Sequence, residues 1–156
     1  MKTILSVPAA MLLTLSAAAP AQAQQAPKPE QLIKWRQSAY QVIAWNTGRV
    51  KANVDGSYNK EDAQRAANTI AAVANGGLPG LFATGTESGK GWHDTTAKPS
   101  VFSDAAGFGT ANANFAKEAN ELARVAQGGD VAAVKAQLAA LQKTCKACHD
   151  DFRNSN

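Results

Sequence analysis

Histidine and cysteine are scarce in this chain of 156 residues, with two of each, and the two methionines are Met1 and Met11. A closed zinc site needs four ligands, and only Cys145, Cys148, His149 and the distant His93 are on offer, which argues against one. There is no concentrated basic patch, so nothing in the charge pattern points to nucleic acid. Long apolar runs are also lacking. One alanine-rich stretch from Ile4 to Ala19 comes nearest, but Ser6, Pro8, Thr14 and Ser16 interrupt a run already short for a membrane span.

That stretch has a different reading. Lys2 precedes it and Ala21-Gln22-Ala23 follows it, the A-x-A pattern of a secretory signal peptide. Residues 1–23 are expected to be cleaved, leaving a mature chain from Gln24. The remaining 24–156 are one domain by length, with no span of their own, exported to the periplasm. Loss of Lys2 lowers the formal net charge from +4 to +3.

Near the other end stands Cys145-Lys-Ala-Cys148-His149, the attachment run of a c-type haem. The two thiols add across the porphyrin vinyl groups, and the adjacent imidazole becomes an axial iron ligand. On a helix Cys145 lies three residues from Cys148 and four from His149, so the three side chains share a face. A redox Cys-x-x-Cys pair usually opens a helix after a strand, whereas this one lies near the end of a helical pattern. One covalent haem c is therefore expected, with His149 on the iron.

Four helical segments are predicted. The first runs from about Glu30 to Asn53, with Leu32, Ile33, Tyr40, Ile43 and Val50 at helical spacing, and stops at Asp55-Gly56. A second starts after Asn59, an N-cap followed by Glu61 and Asp62, and ends at Gly76-Gly77. A long connection then reaches about Ser103, and loops of that length often shape a site. The third begins near Asp104 and ends at Gly128-Gly129. Asp130 caps the fourth, in which Val131, Val134, Leu138, Leu141, Cys145, Cys148 and Phe152 alternate three and four apart, placing both thiols on a buried seam. The fold expected is all-α: an antiparallel four-helix bundle with covalently bound haem, its alanines leaving volume for a porphyrin.

Methionine now matters. With Met1 and Met11 both in the cleaved segment, no thioether remains for a sixth ligand. His93 is the other imidazole, in the loop run Gly91-Trp92-His93-Asp94, where a solvated histidine is the favoured reading. The iron is expected to be five-coordinate, high-spin and open to small gases.

Several runs closely resemble the cytochromes c′. They are Lys28-Pro29-Glu30, Trp35-Arg36-Gln37-Ser38-Ala39-Tyr40, Ala44-Trp45-Asn46-Thr47-Gly48-Arg49-Val50, Gly85-Thr86-Glu87, Lys98-Pro99 through Phe108, and the terminal Cys145 to Arg153. Cytochromes c′ are among the standard examples of four-helix bundles, so the resemblance implies the same architecture. It also implies that Arg36 and Gln37 approach a haem propionate, that Thr86 and Glu87 lie near the haem, that Tyr40 packs over the open iron face, and that Phe152 and Arg153 flank the proximal side. Arg36 and Tyr40 are four apart on one face, and a guanidinium suits a carboxylate; the alternative makes Arg36 an exposed cation and Tyr40 a core aromatic. Phe82-Ala83-Thr84-Gly85 departs from the usual Gly-Pro-Gly form of the loop.

The function expected is a diatomic gas ligand, nitric oxide and more weakly carbon monoxide, held as by a sink or carrier, with no enzymatic activity. An apolar pocket under Tyr40 disfavours dioxygen. The alternative is a soluble electron-transfer cytochrome whose rim of Lys143, Lys146 and Arg153 meets a redox partner protein. A peroxidase lacks its distal His/Arg pair. The resemblance further implies a homodimer through the first two helices, with Trp35 and Trp45 offering apolar contact. Intact-mass measurement of the exported protein should give the chain from Gln24 plus one haem; an apo mass with a disulfide would refute haem attachment.

Overall fold

The computed structural model describes residues 26–154. The expected leader and the start at Gln24 lie outside the described residues. Helix α1 spans Pro29–Asp55. Proline suits the first turn, where its missing N–H would have had no partner. Ile33, Ile43, Val50 and Val54 form its buried stripe. The helix runs two residues beyond the expected Asn53 because that side chain sustains the last turn: its amide donates to Arg49 O at 3.0 Å and to Asp62 at 2.8 Å. Helix α2, Lys60–Ala74, opens on Asn59, whose side chain accepts from Asp62 N at 3.0 Å.

The connection from residue 76 to 103 is more structured than its glycine and threonine content suggests. A 3-10 turn occupies Leu78–Leu81, and the one-turn helix α3 occupies Ser100–Ser103. Pro79 and Pro99 preset the backbone at the opening of each turn, and buried Leu78 and Val101 anchor them. Helix α4, Ala105–Gly128, is capped by Asp104, which accepts from Gly107 N at 2.9 Å, and it ends on Gly129 at φ +79°, a left-handed stop suited to glycine. Helix α5 is Val131–Phe152.

These are the four long helices of the bundle, with α3 as an addition. Packing is close between α1 and α2, α2 and α4, and α4 and α5, and looser between α1 and α5. The alanines explain part of this. Ala66, Ala67, Ala71, Ala119 and Ala126 all lie in the main core, and their small side chains bring α2 and α4 together. A second, smaller cluster of Val101, Phe108 and Phe152 sits beside the carboxyl end of α5. No helix among the described residues is long and apolar enough to cross a membrane.

The start of α5 depends on one carboxylate, Asp130, which accepts from Ala132 N at 2.9 Å and Ala133 N at 3.4 Å. Asp130→Ala should destabilise the protein by about 1 kcal/mol, read from the denaturant midpoint, while Asp130→Asn should recover most of the loss.

Candidate haem-binding site

The last turns of α5 carry the donor set. Cys145 and Cys148 are free thiols and half-buried, so the expected seam is buried at Leu141 and again at Phe152 but only partly at the two cysteines between them. The reason lies in where they point. Cys145 packs against the main core and Cys148 against the aromatic cluster, so the thiols straddle the junction of two apolar bodies. Burial pushes both thiols above their ordinary value. Cys145 Sγ donates to Leu141 O at 3.5 Å, a local bond that leaves the pair unlinked.

His149 is exposed. Desolvation of its ring, with Arg153 nearby, lowers its pKa, which favours the neutral imidazole, the form that binds a metal. No group of three or more His, Cys, Asp or Glu converges among the described residues. Two accessible thiols and one neutral imidazole on a single helical face fit a macrocycle held by two thioether bonds and one axial nitrogen.

Across from these residues, α1 presents Tyr40. Its hydroxyl senses both Cys148 and Cys145, and burial raises its pKa well above the usual phenol value. It therefore stays a neutral phenol at physiological pH. One turn back, Arg36 is only 4% exposed, and its terminal nitrogens are committed to the long loop. They donate to Leu81 O at 3.3 Å, Thr86 Oγ1 at 2.8 Å and Thr86 O at 2.9 Å, and also to Thr95 Oγ1. The guanidinium carbon lies 4.7 Å from the centre of the Phe82 ring, a cation–π contact. Burial lowers the Arg36 pKa, while Tyr40 and Glu87 act to raise it.

Gln37 is also tied to the loop. Its amide donates to His93 O at 2.9 Å and its carbonyl accepts from Trp92 N at 2.7 Å. Gly91 permits this approach, since a Cβ there would stand 2.8 Å from Lys34 N. His93 is exposed, with Nδ1 2.8 Å from Asp94 O. Thr86 is fully buried, donating to Ala83 O at 2.8 Å, whereas Glu87 is exposed.

Phe152 is buried and packs edge-on against Phe108 with centroids 5.4 Å apart. Arg153 is exposed, but its backbone is held: Arg153 N bonds His149 O at 3.2 Å and Asn154 N bonds Thr96 O at 2.8 Å. The structure thus gathers Arg36, Thr86 and Glu87 at the loop, sets Tyr40 opposite the two cysteines, and leaves the Arg153 side chain outside. Sequence reasoning missed Phe82 and Thr95. Phe82 touches Tyr40 at 6.3 Å and Phe108 at 4.8 Å, both edge-on. A phenylalanine set among glycines and threonines was its signal; Thr95 had none.

Residues 31–153 match the family described as Cytochrome C'. The chain belongs to the cytochrome c′ family. It is 61% identical to the cytochrome c′ of Rhodocyclus tenuis, over 83% of this chain and 98% of that one. A solved cytochrome c′ with an unusual ligand-controlled dimer dissociation superposes with a TM-score of 0.81 at 38% identity, covering 83% of this chain and 99% of the other. A ferrous variant of the Alcaligenes xylosoxidans cytochrome c′ with bound NO gives 0.75 at 28% identity, covering 85% and 100%. Cytochromes c′ carry one covalently bound c-type haem, and Cys145 and Cys148 are placed for its attachment motif.

Arg36 should act first on the loop. Arg36→Leu should cost about 2–3 kcal/mol from lost charge-assisted hydrogen bonds and speed amide exchange at Thr86 and its neighbours. Arg36→Lys should restore little, since an ammonium lacks the planar fork that reaches these acceptors. Exchange at Thr86 unchanged in both variants would contradict the clamp.

Proposed function

We propose that this cytochrome c′ is a periplasmic, non-enzymatic protein that binds nitric oxide, and carbon monoxide more weakly, as a sink or carrier. The observation that carries the reading is Tyr40, a neutral phenol set in apolar surroundings opposite Cys145 and Cys148. When bound, the haem would supply an iron that takes a diatomic ligand, five-coordinate and high-spin in this reading. Cys145 and Cys148 would hold it through thioether bonds, and His149 would ligate the metal.

Tyr40 and Phe82, in edge contact at 6.3 Å, would shield the other side of the site from water and from large ligands. His93 is engaged by its own loop and by Gln37, which argues against a second strong ligand. Arg36, Gln37, Thr86 and Glu87 bound the propionate side of the site in this reading, and Phe152 and Arg153 its proximal side. A bound-NO form and a ligand-controlled dimer among the solved relatives support gas binding and a homodimer. Here α1 leaves Trp35 46%, Val42 39% and Trp45 66% exposed, along one face suited to a second copy. The electron-transfer alternative is weakened at its rim, where Lys146 is paired with Asp150 at 2.5 Å.

Optical spectra of the ferrous protein with and without nitric oxide test the reading directly. A shifted Soret band is expected on addition of the gas, and an unchanged spectrum would sink it. Tyr40→Ala should leave haem attachment intact and speed carbon monoxide association about tenfold or more, since the phenol no longer has to move aside. Flash photolysis measures this.

A further inference from the structure

An α-helix leaves the carbonyls of its last turn without partners inside the helix. In α5 those carbonyls begin at His149, and each of them is met. Arg153 N bonds His149 O at 3.2 Å. The carbonyls that follow are met by two residues at the opening of α3. Lys98 Nζ donates to Asp150 O at 2.6 Å, Ser100 Oγ to Asp151 O at 2.8 Å, and Lys98 N to Phe152 O at 3.0 Å.

The cap is built from one constrained tripeptide, Lys98-Pro99-Ser100. Pro99, at φ −55°, fixes the backbone between the ammonium and the hydroxyl, so both reach successive carbonyls without a flexible joint. Val101, next in the chain, is buried with Phe108 and Phe152 and anchors the tripeptide on one side. On the other, Ala97 N donates to Thr95 Oγ1 at 3.2 Å, the same hydroxyl that accepts from Arg36. The end of α5 is thereby tied back to α1. A cation at this end is further favoured by the helix dipole.

A metal-binding histidine is commonly aimed by a hydrogen bond at its second ring nitrogen. His149 is exposed, and its ring has no such partner among the described residues. Its direction is therefore set by the turn beneath it. We propose that Lys98 and Ser100 are positioning residues for the axial ligand: by capping the carboxyl end of α5 they hold the His149 turn and so set the strength of the imidazole–iron bond. The inference rests on His149 ligating the haem iron, as read above, and adds what keeps it aimed.

The test uses the haem-loaded protein with Lys98→Met, which keeps the apolar stem and removes the ammonium, and with Ser100→Ala. In both, the backbone bond from residue 98 to Phe152 O remains, and Ser100→Ala serves alone if Lys98→Met does not fold. Amide exchange at Arg153 should quicken about three- to tenfold, as the loss of one hydrogen bond implies. In resonance Raman spectra of the ferrous protein the iron–histidine stretching band should broaden and move to lower frequency. Lys98→Arg and Ser100→Thr should restore most of both readouts. Lys146→Met removes a charge from the same turn, but one bonded to the Asp150 carboxylate at 2.5 Å and not to a carbonyl, and it should leave the band unmoved. Faster exchange with an unmoved band in both variants would overturn the inference, as would unchanged exchange or an equal shift in Lys146→Met. A wild-type ferrous protein without an iron–histidine band would defeat the reading of His149 as ligand, and the inference with it, so the wild-type spectrum separates the two failures.

Discussion

A guanidinium removed from water must have its donors met by acceptors, and in this protein one loop meets them. Arg36 reaches Leu81, Thr86 and Thr95 from a single position on α1. Three points far apart in the loop are thereby fixed to one helix. Without such a tether, a segment so rich in glycine and threonine would lose much of its order, because little apolar surface holds it down. Gln37 extends the hold to Trp92 and His93. The aromatic wall of the site and the rest position of Phe82 follow from this attachment.

The bundle was legible because its signals were local. Asn59 and Asp130 each accept a backbone N–H where the sequence placed a cap, Asp104 does so where it placed the start of a helix, and Gly129 takes the left-handed turn that ends α4. The cysteine–histidine run was readable for a similar reason, since three residues on one helical face need no knowledge of the rest of the fold. Other features depended on distance in the chain. The hold of Arg36 on the loop was not readable, because its partners lie 45 to 59 residues away. The alanines were ambiguous for a related reason. A small side chain signals close approach or open space equally well until the facing helix is known.

Charge and packing divide the labour at the site. Apolar burial raises the phenol of Tyr40 and the two thiols alike, so their uncharged forms prevail on that side. Arg36 is the exception, a buried cation retained because its hydrogen bonds offset the cost of leaving water. Its charge is turned toward the loop and the Phe82 face, and the region around the thiols remains weakly polar.

The placing of the cysteines at the end of α5 bears on the order in which the protein comes into being. Chains emerge amino end first, and elements fold as they become available. By the time Cys145 appears, α1, α2, the loop and α4 have all been synthesised, and of the site only Phe152 and Arg153 follow the attachment run. Synthesis of the facing walls thus precedes that of the residues that commit the scaffold to its prosthetic group.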